Sequence, residues 1–225
     1  MRQKKTKIQS TIHSNLVKIC HKLYEKGLVS ATDGNVSTRL PNGNIVATRS
    51  GISKDMVRVS DLVEVTPDGA KVRGVGRPST ELGMHLFIYK QRHDIHAVVH
   101  AHPPYATGFA AARIPLDRTV LPEVIVELGI VPLAEYATPS THEVADSLAP
   151  YVKSYQAILL ANHGVVTFGK DLVEAYHRME KAEHAAHICF VARMIGGEHP
   201  LTPEEVGKLR AVSLKSYGKE VPKVV

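Results

Sequence analysis

Two turn signals crowd the first third of the chain, and they restrict the fold more than any other feature. Asn42-Gly43 separates two β-rich runs, residues 36–40 and 44–48. An Asn-Gly pair at that place is the strongest short hairpin signal, because a type I′ turn needs positive φ at both central residues. Pro67-Asp68-Gly69 repeats the pattern between strand-like runs at 62–66 and 71–73. A parallel, doubly wound sheet does not start with back-to-back hairpins, since parallel neighbours need long crossover connections. Elsewhere, helical and strand patterns alternate. Apolar spacing predicts an opening helix over 8–26 and a helix over 79–91 with Ser79 as its N-cap. A strand is expected over 95–102 and a short helix over 104–112, and two further strand runs lie at 157–161 and 165–168. Ser140-Thr141-His142-Glu143 reads as a capping box for a helix reaching about residue 152. A helix over 171–195 stops at Gly196-Gly197, and Thr202-Pro203-Glu204-Glu205 opens the last one. The expectation is a single α/β domain over residues 1–225, three-layer α/β/α, around a mostly antiparallel or mixed sheet. A basic arm (1–7) and a tail (211–225) are expected at its ends.

The net charge of +6 invites a nucleic-acid partner, but its distribution argues against one. Arg2, Lys4, Lys5 and Lys7 place +4 at one end, and residues 208–225 place another +4 at the other. The body between is left at −2. Basic ends on a near-neutral body read as solvated termini, and aromatics at 5 % offer few stacking platforms. No apolar run approaches the roughly 20 residues of a membrane span, so neither a membrane nor a nucleic-acid partner is expected. Cys20 and Cys189 are the only cysteines, too few for a disulfide framework, which suits a reducing, cytoplasmic setting. Gly74-Val75-Gly76 lacks the third glycine of a dinucleotide fingerprint, since Ser79 stands in its place.

Candidate chemistry gathers at element ends. Residues 98–104 are an apolar run ending in His100-Ala101-His102 before two prolines. Side chains at i and i+2 leave one face of a strand, so the two imidazoles can converge on one point, which suits a metal better than a proton relay. His163, between an apolar strand and Gly164, is a third imidazole, and three imidazoles with a fourth position open is a catalytic zinc arrangement. Glu81 is the fourth candidate, although alone it reads as a solvated acid favoured by a helix N-terminus. Gly34-Asn35, Ser50-Gly51 and Ser79-Thr80 offer small donors beside glycines, as an anion site requires, and each also reads as an ordinary turn or cap. The i,i+4 pairs Glu180/His184 and Glu183/His187 read as surface or packing. Lys54 follows Ser50-Gly51, but nothing near it in sequence argues for the lowered pKa of a Schiff-base lysine.

Taken in order, Gly34-Asn35-Val36-Ser37, Ser50-Gly51, Ser79-Thr80-Glu81, His100-Ala101-His102 and His163-Gly164 resemble the class II aldolase/adducin family over nearly the whole chain. The resemblance implies one zinc ion per subunit, with Co2+ or Mn2+ as substitutes. Its ligands would be His100, His102 and His163, and Glu81 would alternate between the metal and proton transfer. It implies a phosphate cradle of Asn35, Ser50, Gly51, Ser79 and Thr80. Glu rather than Asp at position 81 resembles the aldolases, and Tyr217-Gly218 resembles their catalytic tail tyrosine. The aldolases also use a tyrosine just before the stretch matching residues 129–132. Residues 119–128 hold none, but Glu123 and Glu127 lie there, and related dehydratases use a glutamate from that region as acid/base. The implied activity is cleavage of a ketose 1-phosphate, such as L-fuculose 1-phosphate, to dihydroxyacetone phosphate and L-lactaldehyde. The implied assembly is a homotetramer with sites at subunit interfaces. The alternatives are methylthioribulose-1-phosphate dehydration, pentulose-phosphate 4-epimerisation, sugar-acid phosphate decarboxylation and, last, a non-enzymatic adducin-like interaction domain.

Overall fold

The computed structural model describes residues 2–218 and 220–222, with the backbone alone for residues 2–8 and Tyr217. Its centre is an eight-stranded sheet built from β1 (Asn35–Arg39), β2 (Ile45–Thr48), β3 (Leu62–Val65), β4 (Lys71–Arg73), β5 (Ala97–Ala101), β6 (Leu133–Ala134), β7 (Ala157–Leu160) and β8 (Gly164–Gly169). The spatial order is β4-β3-β2-β1-β5-β8-β7-β6. Both expected hairpins form, at β1–β2 and β3–β4. Every named pairing is antiparallel except β6–β7, so the sheet is mixed, with the antiparallel pairing that the early hairpins require at one edge and the parallel pair at the other.

Helices cover both faces. On one side lie α1 (Arg2–Glu25), α3 (Pro104–Ala111) and α6 (Leu172–Met194). Leu16, Ile19, Cys20 and Leu23 of α1 pack there with Val36, Val99 and Met179. On the other side lie α2 (Leu82–Gln91) and α5 (Glu143–Leu148), whose Met84, Ile88, Val144 and Leu148 pack on Val98, Ile158 and Val166. Adjacent β5 residues therefore serve opposite cores, and His100 shares the α2 face with Val98. A smaller cluster joins α4 (Pro122–Glu127) to α7 (Pro203–Tyr217) through Ile125, Ile130 and Val206.

Four element ends differ from expectation. α1 starts at Arg2, so the basic arm is helical in its backbone: lysine, arginine and glutamine favour helix and nothing there breaks it. The tail is likewise helical to Tyr217, and Gly218 closes α7 in the left-handed region at φ 60. α2 starts at Leu82, not Ser79. Residues 77–79 are held extended against β2 by Ser79 N–H to Thr48 O and an Arg49–Pro78 bridge, so the helix cannot begin earlier. The Ser140 capping box is not built. Glu143 accepts instead from Thr138 N–H, and α5 ends at Leu148, close to Pro150, which has no N–H to continue it. Asp171 caps α6 with its side chain, which accepts from Glu174 N–H, and Thr202 opens the last helix as expected, in a reciprocal box with Glu205.

Candidate metal and anion site

β5 ends at Ala101, and His102 N–H leaves the sheet to bond Leu28 O. The two imidazoles nevertheless converge, with their Nε2 atoms 3.1 Å apart. His100 Nδ1 is 2.9 Å from Val165 O and His102 Nδ1 is 3.4 Å from an Asp33 carboxylate oxygen. A carbonyl and a carboxylate only accept, so both Nδ1 atoms carry the proton and both Nε2 atoms present lone pairs. Burial brings the His102 pKa down to about 4, the His100 and His163 imidazoles press the same way, and Asp33 opposes them.

His163 completes the group from the β7–β8 turn, where Asn162 adopts φ 55. The next residue has to be glycine. A Cβ on Gly164 would lie 2.6 Å from both Ala101 O and His102 Cδ2. Gly34 is constrained in the same way, since its Cβ would lie 2.8 Å from His100 O. Two glycines thus let two turns close directly onto the histidine strand.

The nitrogen donors of His100, His102 and His163 all lie within 4.8 Å of one another. Tetrahedral coordination at 2.0–2.1 Å sets neighbouring nitrogens about 3.3 Å apart, close to the His100–His102 separation. Two neutral lone pairs facing each other leave both acceptors unsatisfied, and a divalent cation satisfies both. The donor set fits a metal ion.

Glu81 is the N-cap of α2 and bridges the group. Its carboxylate is 3.1 Å from His163 Nε2 and 3.4 Å from His100 Nε2, and it accepts from Asn35 Nδ2 at 2.9 Å. Burial alone would raise its pKa, but the adjoining His100 and His163 imidazoles act the other way and hold it below the usual carboxylate range. Behind it runs a buried chain, Tyr89 OH to Ser37 Oγ (2.8 Å) to His85 Nδ1 (2.7 Å). Burial lowers the His85 pKa to about 3, so its imidazole is neutral.

The anion loops also meet. Ser50 N–H bonds Arg77 O and Ser79 N–H bonds Thr48 O, which sets Ser50-Gly51 beside Ser79-Thr80. Ser79 Oγ accepts from Glu81 N–H at 3.3 Å, joining these loops to the metal group. Asn35 is only 3 % exposed, and its amide is engaged with Glu81 rather than open to an anion.

Other candidates lie elsewhere. Glu123 is exposed on α4, and Glu127 pairs with Lys181 at 3.5 Å. Glu127 shares a cleft of about 760 Å3 with Gln156, Lys170 and the tail residues Glu220, Val221 and Pro222. Gln156 precedes β7 and Lys170 follows β8, so this cleft lies at the ends of those strands opposite His163. The Tyr217 side chain is outside the described residues. Glu183 is structural: its carboxylate accepts from Tyr105 and Ala106 N–H and caps α3. Lys54 departs from expectation. It is buried, and burial lowers its pKa, yet its Nζ is engaged by two carbonyls and cannot reach a substrate carbonyl. Asp33 behind His102 was not anticipated; its place four residues before Ser37, in a turn rich in small polar residues, carried no metal signal.

A family model described as the Class II Aldolase and Adducin N-terminal domain matches residues 14–190. The chain belongs to the class II aldolase and adducin family. Class II aldolases are typically metal-dependent, in keeping with the three histidines. A 3-oxo-tetronate 4-phosphate decarboxylase of Escherichia coli is 33 % identical over 91 % of this chain and 98 % of its own length. An L-fuculose phosphate aldolase of Methanococcus maripaludis is also 33 % identical, over 81 % of this chain and 98 % of its own. A solved L-fuculose 1-phosphate aldolase superposes with a TM-score of 0.83 at 35 % identity, covering 89 % of this chain and 94 % of the other. No helix among the described residues is long and apolar enough to cross a membrane.

Proposed function

We propose that this chain is a zinc-dependent class II aldolase that cleaves a ketose 1-phosphate, with L-fuculose 1-phosphate as the default substrate, to dihydroxyacetone phosphate and L-lactaldehyde. The observation that carries this is the Glu81 carboxylate, which contacts two of the three metal-directed histidines while Ser79 ties its backbone to the anion loops. Bound at His100, His102 and His163, the metal would act as a Lewis acid toward the substrate's carbonyl and hydroxyl oxygens. Cleaving C3–C4 transfers the C4 hydroxyl proton to a base, releases the aldehyde and leaves the enediolate of dihydroxyacetone phosphate. Glu81, held as the carboxylate, is the group in position to take the proton from that carbon in the condensing direction and so, by microscopic reversibility, to return it in cleavage. Ser50, Gly51, Ser79 and Thr80 would hold the phosphate away from the breaking bond, where its binding energy serves orientation. Tyr217 is the proposed acid/base at the aldehyde end. It would be supplied across a subunit interface, since the described tail residues of the same chain lie at the opposite strand ends from His163. A homotetramer is the assembly in keeping with this, and α6 ends in exposed Phe190, Val191, Met194 and Ile195. The unpaired, buried Cys20 and Cys189 suit a cytoplasmic enzyme.

A second reaction is favoured by two observations: the decarboxylase relative spans 91 % of the chain, and residues 119–128 contain no tyrosine. Decarboxylating a 3-oxo-tetronate 4-phosphate breaks C1–C2, releases carbon dioxide and leaves the same enediolate for the same protonation.

One preparation tests both. Dihydroxyacetone phosphate release is followed from each substrate, before and after chelation and zinc readdition. Metal-dependent release from L-fuculose 1-phosphate supports the aldolase, and release with carbon dioxide from the keto acid alone moves the assignment to the decarboxylase. Glu81→Gln should lower turnover by about 10²–10⁴-fold with zinc retained. Turnover near wild type would remove Glu81 from the mechanism.

A further inference from the structure

Lys54 is a buried charge without an evident reason. It is 1 % exposed, and among the described residues it forms no ion pair. Its ammonium donates to Thr32 O at 3.1 Å and Ile52 O at 2.9 Å. Those carbonyls belong to two different turns. The first runs directly into β1 and holds Asp33 against His102, Gly34 against the His100 carbonyl, and then Asn35 against Glu81. The second contains Ser50 and Gly51, one residue from Ile52. One side chain therefore ties the turn that backs the metal group to the turn that opens the anion loop.

Two neutral carbonyls do not cancel a charge, and a buried charge without full compensation is costly beside an apolar side chain of similar volume. Burial accordingly lowers the Lys54 pKa, while Asp33 works in the opposite direction. The neighbouring Cys20 thiol is pushed up to about 12 by burial and stays neutral, so it supplies no counter-charge. What is missing at this spot is negative charge, and the adjacent loop is the one built to receive an anion.

We propose that Lys54 is a positioning residue of the anion loop: anchored on Thr32 O, it holds the Ser50-Gly51 turn through Ile52 O and supplies a buried positive charge that a phosphate monoester dianion neutralises. The proposal rests on the phosphate-ester function above. Its consequence is a division of labour: Lys54 governs affinity for the phosphate group, not for the metal and not for the unphosphorylated part of the substrate.

The test is calorimetric titration of inorganic phosphate into the zinc-loaded full chain, comparing wild type, Lys54→Met and Lys54→Arg. Lys54→Met removes the charge at similar volume, and phosphate affinity should fall roughly tenfold or more. KM for the phosphorylated substrate should rise in parallel, with kcat and zinc affinity changed less than about twofold. Lys54→Arg should recover most of the lost affinity. Equal phosphate binding by wild type and Lys54→Met overturns the proposal, as does a parallel loss of zinc and phosphate, which would make Lys54 merely structural. Absence of phosphate binding by wild type instead refutes the anion-loop assignment itself. Should Lys54→Met not fold, 15N-lysine spectra of the wild type decide. Phosphate must shift the Lys54 ammonium resonance, assigned by its loss in Lys54→Arg, and an unmoved resonance overturns the proposal.

Discussion

Replacing Gly164 by alanine adds one methyl group where the structure leaves no room for it. That carbon would sit 2.6 Å from the Ala101 carbonyl oxygen and 2.6 Å from His102 Cδ2. Carbon–carbon contacts are comfortable near 3.5–4.0 Å, so the overlap on the ring is about 1 Å. Cδ2 is bonded to Nε2, so relief of the overlap moves the metal-directed nitrogen by a comparable distance. Metal ligands tolerate about 0.2 Å, and the displacement is several times larger. The variant should lose zinc affinity by at least about 10–100-fold, measured by competition with a chromogenic chelator. The same overpacking should cost about 1–3 kcal/mol in the metal-free protein. In a chain of this size that lowers Tm by roughly 2–10 °C, read by thermal melting in chelator. Gly83→Ala is the matched control: it lies inside α2 and its added carbon meets nothing within 4 Å. That change should leave zinc affinity alone and raise stability by about 0.5–1 kcal/mol. A Gly164→Ala protein with wild-type zinc affinity would refute the packing of the β7–β8 turn against His102.

Two further predictions use side chains that act through others. Asp33→Asn removes the charge behind His102 Nδ1, and zinc affinity should drop roughly tenfold; the effect sits at the low end of what such partners show because the Asp33 side chain is 48 % exposed. An unchanged zinc dissociation constant would exclude Asp33 as the orienting group. Glu198 is 1 % exposed at its side chain and is held by Arg193 (3.0 Å) and Arg118 (3.2 Å). Burial would raise its pKa, yet hydrogen bonds from Arg193 and Cys189 hold it below the usual glutamate value. A depressed carboxyl contributes stability above its unfolded pKa of about 4.5 and loses it as pH falls through the folded value. Glu198→Gln should therefore be about 1–2 kcal/mol less stable than wild type at pH 7, with the gap closing below about pH 4 in urea unfolding. A gap independent of pH would show that shape, not charge, sets the contribution of Glu198.

Local chemistry explains which elements were legible. Asn42-Gly43 and Pro67-Asp68-Gly69 form turns in which the glycine alone takes positive φ (88 and 93), so the first is not the type I′ turn of an Asn-Gly pair, and Asp171 and Thr202 cap their helices with their own side chains. Ser79 and Ser140 carry similar signals in sequence but start no helix there, although Ser79 Oγ still accepts from Glu81 N–H just ahead of α2. The first is overruled by the pull of β2 on residues 77–79, and the second by Glu143 reaching Thr138. The His100/His102 pair was visible because a strand's period is two; His163 and Glu81 stood out only as part of an ordered set of motifs.

The sequence by itself determined a sheet that is not purely parallel, the positions of both hairpins, and the residue types able to hold a metal and an anion. These follow from φ preferences and side-chain periods, which act within a few residues. Tertiary structure alone decided that Asp33 backs His102, that Glu81 bridges His100 and His163, and that Lys54 is buried between two turns. It also decided that Glu127 and the tail residues 220–222 lie at the far strand ends. Each of these joins segments tens of residues apart, and no local preference encodes which of two distant groups will meet. Packing on the shared sheet and exclusion of water select the pairs whose polar atoms satisfy one another.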